Sequence, residues 1–267
     1  MADATGLRVV VENGNWGATS LRTIRGVLTS AAQVLLAGFG SVPDAAVHVA
    51  PWRQNPRVFH DRRPYQVRLS ARDTYWCQYV YQFAHELCHV MINFDRHRAH
   101  QHRWFSEALC ELASLFVLHR LTASWIEAPP DGVAQAAAYA PNFTAYAERT
   151  AQRYCRPGDP PRWLANHLPD LEADPYRRGD NGALAICLLQ PFLDDPSLWR
   201  DCGRLNCWDP YADATFRDYL DSWARHLARN GSTPRVAPLV AALLFRPRAD
   251  TRQAVPPSPD SPGSAAP

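Results

Sequence analysis

The chain contains no lysine. All 28 of its basic side chains are arginine, set against 26 acidic ones, so the formal charge is only +2. The arginines are scattered rather than clustered, which gives no nucleic-acid-binding surface. No stretch reaches the roughly 18 uninterrupted apolar residues that a membrane span needs. The start, Met1-Ala2-Asp3-Ala4-Thr5-Gly6, lacks a basic segment followed by an apolar run, so no secretory leader is expected. The seven cysteines are an odd number for a disulfide framework. Cys77, Cys88, Cys110 and Cys187 stand in apolar, helix-compatible surroundings and read as small core residues. Cys202 and Cys207 have no second pair to complete a zinc site. A cytoplasmic protein with reduced thiols is the expectation. Glutamate is also scarce. There are seven, and three of them (Glu86, Glu107 and Glu111) fall in one short region.

What is present is apolar mass. At 267 residues and 46% hydrophobic, the chain can bury one large core or two small ones. Leu7–Glu12 and Ala46–Ala50 read as short strands. Pro51–Pro64 reads as a basic, proline-punctuated loop. Tyr65–Leu69 alternates apolar and polar residues, which predicts a half-exposed strand. Helical spacing runs from Ser20 to Leu36, closed by Gly38, and again from Asp73 or Thr74 to about Asn93. Phe94–Arg103 is a polar loop, and Trp104–Leu121 is a second strong helix. Beyond it, Ala134–Tyr154 is helical but interrupted at Pro141, and Pro157–Pro175 is irregular. Helices follow at Asn181–Phe192, Asp213–Arg229 and Val236–Phe245.

The chemistry concentrates at His85-Glu86-Leu87-Cys88-His89. Residues four apart stack on one helix face, so both imidazoles can reach one metal ion with Glu86 beside them. Tyr79, Phe83, Leu87, Val90 and Met91 supply the buried face of the same helix. A second helix then carries Glu107 in its first turn and Glu111 one turn later. Folded back antiparallel, it would bring Glu107 over the histidines as third ligand of a Zn²⁺ site with an open fourth position. Glu111 is either an alternative ligand or the hydrogen-bond partner of a ligating histidine. His97, His100 and His102 read as a solvated loop.

With Trp104-Phe105-Ser106-Glu107-Ala108 following the first motif, residues 65–121 resemble the catalytic segment of the gluzincin metallopeptidases, in particular the M1 aminopeptidases. The resemblance implies His85, His89 and Glu107 as zinc ligands and Glu86 as general base. It also implies an edge strand upstream that binds extended peptide, here Tyr65–Ser70 with Tyr65, Val67 and Leu69. A downstream tyrosine that steadies the oxyanion would be Tyr176, with Arg177 or Arg178 as alternatives. The gap between motifs is one residue shorter than in M1 enzymes, and no G-x-M-E-N-type stretch precedes them. The resemblance therefore does not extend to the grip on a free substrate N-terminus.

The expected fold is α+β and zincin-like. A small N-terminal mixed sheet with helices (residues 1–93) precedes a mostly helical half (94–247) and a disordered tail (248–267). The expected function is a zinc-dependent metallopeptidase in which Glu86 activates the water held by a single Zn²⁺. Trp52, Trp104 and Trp163 are candidates to line its cleft. Its partner is a peptide or protein substrate, with no nucleic acid and no membrane. The alternative is a non-enzymatic zinc-binding protein that uses this scaffold to bind partners.

Overall fold

Val9, Val47, Val49, Val67 and Leu69 are all buried, and they alternate with half-exposed His48, Gln66 and Arg68. That period of two places the apolar set on one face of a sheet. In the computed structural model, which describes residues 6–94, 100–209 and 214–246, the strands are β1 (Val9–Val11), β2 (Val47–Pro51), β3 (Arg57–Phe59) and β4 (Tyr65–Leu69). Their order is β1-β2-β4-β3. The first three in that order run parallel, and β3 pairs antiparallel with β4. The register aligns Val9 with Val47, Val47 with Tyr65, and Val58 with Val67. On the polar face, Glu12 lies 3.6 Å from Arg68 and 3.5 Å from His48.

Two helices cover the apolar face. The first, α1 (Leu21–Phe39), is capped by Ser20, whose hydroxyl accepts from the Thr23 amide at 3.0 Å. It ends at Gly40 in the left-handed conformation that glycine adopts without Cβ strain. The second, α2 (Trp76–Met91), carries the His-Glu motif and packs on β3 and β4. Neither Asp73 nor Thr74 caps it. Its first residue follows Tyr75, and the Asp73 carboxylate accepts from the Ala18 amide instead, at 2.7 Å. The third helix, α3 (Arg103–Glu127), is longer than its sequence pattern predicts and nearly all buried. It meets the length and hydropathy of a membrane span, yet it forms the centre of the core, where such composition is ordinary.

The remaining helices are α4 (Ala136–Tyr139), α5 (Pro141–Ala151), α6 (Pro160–Ala173), α7 (Arg178–Asp194), α8 (Trp199–Cys202), α9 (Phe216–Arg229) and α10 (Val236–Leu244). The molecule is thus α+β, mostly helical, with a small mixed sheet. One cluster of buried apolar residues runs from Leu7 to Leu244.

Two sequence expectations are corrected. Pro160 and Pro161 do not mark irregular chain. They occupy the first positions of α6, where the missing N–H costs nothing, and Asp159 caps the helix through the Arg162 amide at 3.1 Å. Within the expected Pro51–Pro64 loop, three residues form β3, too short a strand for periodicity to reveal. The tail from residue 248 and His97 lie outside the described residues.

Candidate metal centre

The motif helix ends abruptly, and that ending shapes the site. Asn93 takes a left-handed conformation (φ 56°), and the Phe94 amide reaches back to the His89 carbonyl at 3.1 Å. This reversal stops the helix and turns Phe94 onto the His89 ring, with centroids 4.6 Å apart. The Asn93 amide group donates to the carbonyls of Gly203 (3.0 Å) and Leu205 (3.1 Å), which anchors the turn to the C-terminal half.

Two hydrogen bonds set α3 against α2. Ser114 donates to the Tyr81 carbonyl at 2.9 Å, and the Cys88 thiol lies 3.7 Å from the Leu109 carbonyl. As the first partner number rises the second falls, so the helices are antiparallel. Glu107 therefore returns to the histidines. Its Oε2 lies 3.3 Å from His85 Nε2 and 3.5 Å from His89 Nε2. Donors around a tetrahedral ion at about 2.0–2.2 Å stand roughly 3.3–3.6 Å apart. Both carboxylate–imidazole spacings fall in that range.

Both imidazoles leave Nδ1 buried and without a hydrogen-bond partner. Glu111 faces His85 Nδ1 at 3.9 Å, beyond hydrogen-bond distance, so it neither joins the Nε2 cluster nor bonds the ring. Its other oxygen accepts from Tyr81 and from Tyr154, the latter at 2.6 Å, and the two hydroxyls are 3.3 Å apart. Glu111 thus anchors two tyrosines, buried Tyr81 and half-buried Tyr154, beside His85.

The cluster is electrostatically coupled. Burial drives the Glu107 carboxyl upward, but His89 and His85 override it and hold its pKa well below the usual range. Burial depresses His85, yet Glu107, Glu86 and Glu111 raise it above its ordinary value. Glu86 is shifted upward, chiefly by burial, against the pull of His85, His89 and the Val58 backbone amide. A carboxylate moved toward neutrality is a better base.

A second candidate donor lies below. His85, His89 and Cys110 have donor atoms within 4.8 Å of one another and could hold a metal ion. Glu107 is the better third donor. Its Oε2 is within 3.5 Å of both Nε2 atoms, it lines the cleft and its pKa is held low, whereas Cys110 is fully buried and burial raises its thiol pKa. A Cys110→Ser chain should accordingly retain its bound metal within about twofold, measured by elemental analysis after dialysis. Loss of the metal would mark the thiol as a ligand.

The histidines and glutamates open into a cleft of about 540 Å³, within the usual range for ligand sites. Tyr176 and Arg178 line it too, as do Trp52, the Gln54–Val58 segment and His60. Tyr176 is 52% exposed, and its oxygen accepts from Arg103 at 3.1 Å, which leaves the phenolic proton available. Arg177 is turned away, bound to Asp180 at 2.6 Å.

Several expected roles fail on position. Tyr65, Val67 and Leu69 cannot form a substrate rail. They are 7%, 0% and 0% exposed, and β4 is paired along both edges. The outer strands are β1 and β3, and the Val58 amide of β3 meets Glu86. Trp104 is fully buried among Phe105 and Phe216, and Trp163 stacks on His167, so only Trp52 reaches the cleft. His102 is buried, with Nε2 2.7 Å from the Ala214 carbonyl. Three contributors had no legible signal: His60, whose ring meets His89 edge-on at 6.0 Å, Tyr154, and β3 itself. No protein-family model, curated protein or solved structure matches the chain.

Proposed function

We propose that the chain is a zinc-dependent metallopeptidase of the gluzincin type, with a zincin-like catalytic core. The observation that carries this reading is the joint approach of His85, His89 and Glu107 beside a buried Glu86 that lines the same open cleft. His85, His89 and Glu107 would hold the ion. Zinc bound there supplies a Lewis acid that polarises a carbonyl and acidifies water.

The rest is the work of side chains. Glu86 takes the proton of the attacking water and passes it to the leaving amine. The Val58 amide holds the Glu86 carboxylate in place. The Tyr81–Glu111–Tyr154 network fixes the surroundings of His85. Tyr176 and Arg178, which line the same cleft, would steady the oxyanion of the tetrahedral intermediate. The free edge of β3 replaces Tyr65–Leu69 as the strand along which extended peptide would pair.

A general base has no purpose at a purely structural metal site, and this separates the reading from a non-enzymatic metal-binding protein. Incubating the chain with a peptide mixture should yield cleavage products by mass spectrometry. Chelation should suppress cleavage at least tenfold, and about one equivalent of Zn²⁺ should restore it. Absence of cleavage by the zinc-loaded chain across a diverse peptide mixture would sink the proposal.

A further inference from the structure

Some arginines have a counter-charge. Arg63 lies 3.4 Å from Asp44, Arg68 3.6 Å from Glu12, and Arg177 between Asp170 and Asp180. Most of the described arginines do not, and four of these are set apart by their place around the cleft. Among the described residues, Arg53, Arg57, Arg72 and Arg178 have no carboxylate within ion-pair distance. Arg57 and Arg178 line the cleft. Arg53 and Arg72 line a second hollow of about 380 Å³, which adjoins the first through the shared Trp52 and Gln54.

Among the described residues, the only carboxylates facing either space are Glu86, Glu107 and Glu111, all at the metal centre. In a chain with 28 basic and 26 acidic residues, unbiased placement would put both signs on these walls. Outside the metal centre the wall charges are thus all positive, from Arg178 and from Arg57 on the β3 edge to Arg53 and Arg72. Guanidinium groups recognise carboxylates by paired, planar hydrogen bonds. Trp52 offers an apolar surface at the junction for the stem of such a side chain.

Resting on the peptidase reading, we infer that this site selects acidic peptides, with the Arg53/Arg72 hollow as a subsite for an aspartate or glutamate side chain beyond the β3 edge. A peptide fits better than a nucleic acid, because Arg57 stands on an outer strand of the sheet.

The test uses the full zinc-loaded chain, as wild type and as Glu86→Gln, and fluorescence anisotropy with three dye-labelled octapeptides: an Ala-Glu repeat, its Ala-Gln isostere and an Ala-Lys repeat. The Ala-Glu peptide should bind at least tenfold more tightly than Ala-Gln, and Ala-Lys weakest. The Arg53→Gln/Arg72→Gln chain should lose about three- to tenfold for Ala-Glu and nothing for Ala-Gln. Both positions are solvent-facing, and unchanged zinc content will confirm that the site is intact. Equal binding of Ala-Glu and Ala-Gln would overturn the inference, as would an unaltered preference in the double variant or tighter binding of an oligothymidine than of Ala-Glu. Tight, Arg53/Arg72-dependent binding of Ala-Glu without cleavage of any peptide by the wild type would uphold the acidic subsite and overturn the peptidase reading. Cleavage without acidic preference would do the reverse.

Discussion

Glu86→Gln is expected to lower peptide hydrolysis by about 10³-fold while leaving zinc content unchanged. The substitution keeps the shape of the side chain and removes only its capacity to take a proton. Glu86 is buried, so a change of volume there would disturb α2, and glutamine avoids that. The Val58 amide that now meets a carboxylate can still donate to the glutamine carbonyl. Glu86 lies one residue from His85 but outside the Glu107 cluster, so the ligand geometry does not depend on it. The two readouts separate the explanations. Lost activity with retained zinc identifies a base. Lost activity with lost zinc identifies a ligand or a misfolded site. Undiminished activity removes Glu86 from the mechanism and the enzymatic reading with it.

His85→Ala should reduce bound zinc from about one equivalent to near zero after dialysis, and hydrolysis with it. Losing even an outer partner of a ligand typically costs about 10–100-fold in affinity, and loss of one of three direct donors should exceed that. His85 is also the ring nearest both Glu107 and Glu111, so its removal leaves two carboxylates on α3 with a single imidazole, His89, to balance them. His89→Ala should behave the same way, because Glu107 spans both rings. Equal zinc content in wild type and His85→Ala would place the metal elsewhere or deny it altogether.

Much of this architecture could be read in advance where periodicity was long. Helices α1, α2, α3 and α9 carry apolar residues at helical spacing over many turns, and the ends found differ by only a few residues except that α3 runs on from Leu121 to Glu127. Short elements escaped. Strand β3 has three residues and no alternation to detect, and α6 begins with two prolines that otherwise punctuate loops. The Tyr65–Leu69 alternation was real, but period two reports only that a strand has two unlike faces. It does not report whether the strand lies inside the sheet or at its edge. The crossover that puts β4 between β2 and β3 settled that.

By itself the chain order determines that His85 and His89 share a helix face with Glu86 beside them, because i and i+4 are one turn apart in any α-helix. It also determines that Glu107 and Glu111 share a face of the next helix, for the same reason. Only the tertiary structure decided which of the two reaches the imidazoles. The antiparallel seating of α3 brought Glu107 to 3.3 and 3.5 Å from the ring nitrogens and turned Glu111 onto two tyrosines from α2 and the Tyr154 turn. Helical spacing is local, whereas the depth at which two helices interlock depends on every side chain between them. The same holds for the Val58 amide of β3 that meets Glu86, and for the unpaired arginines that gather around the cleft from segments far apart in the chain.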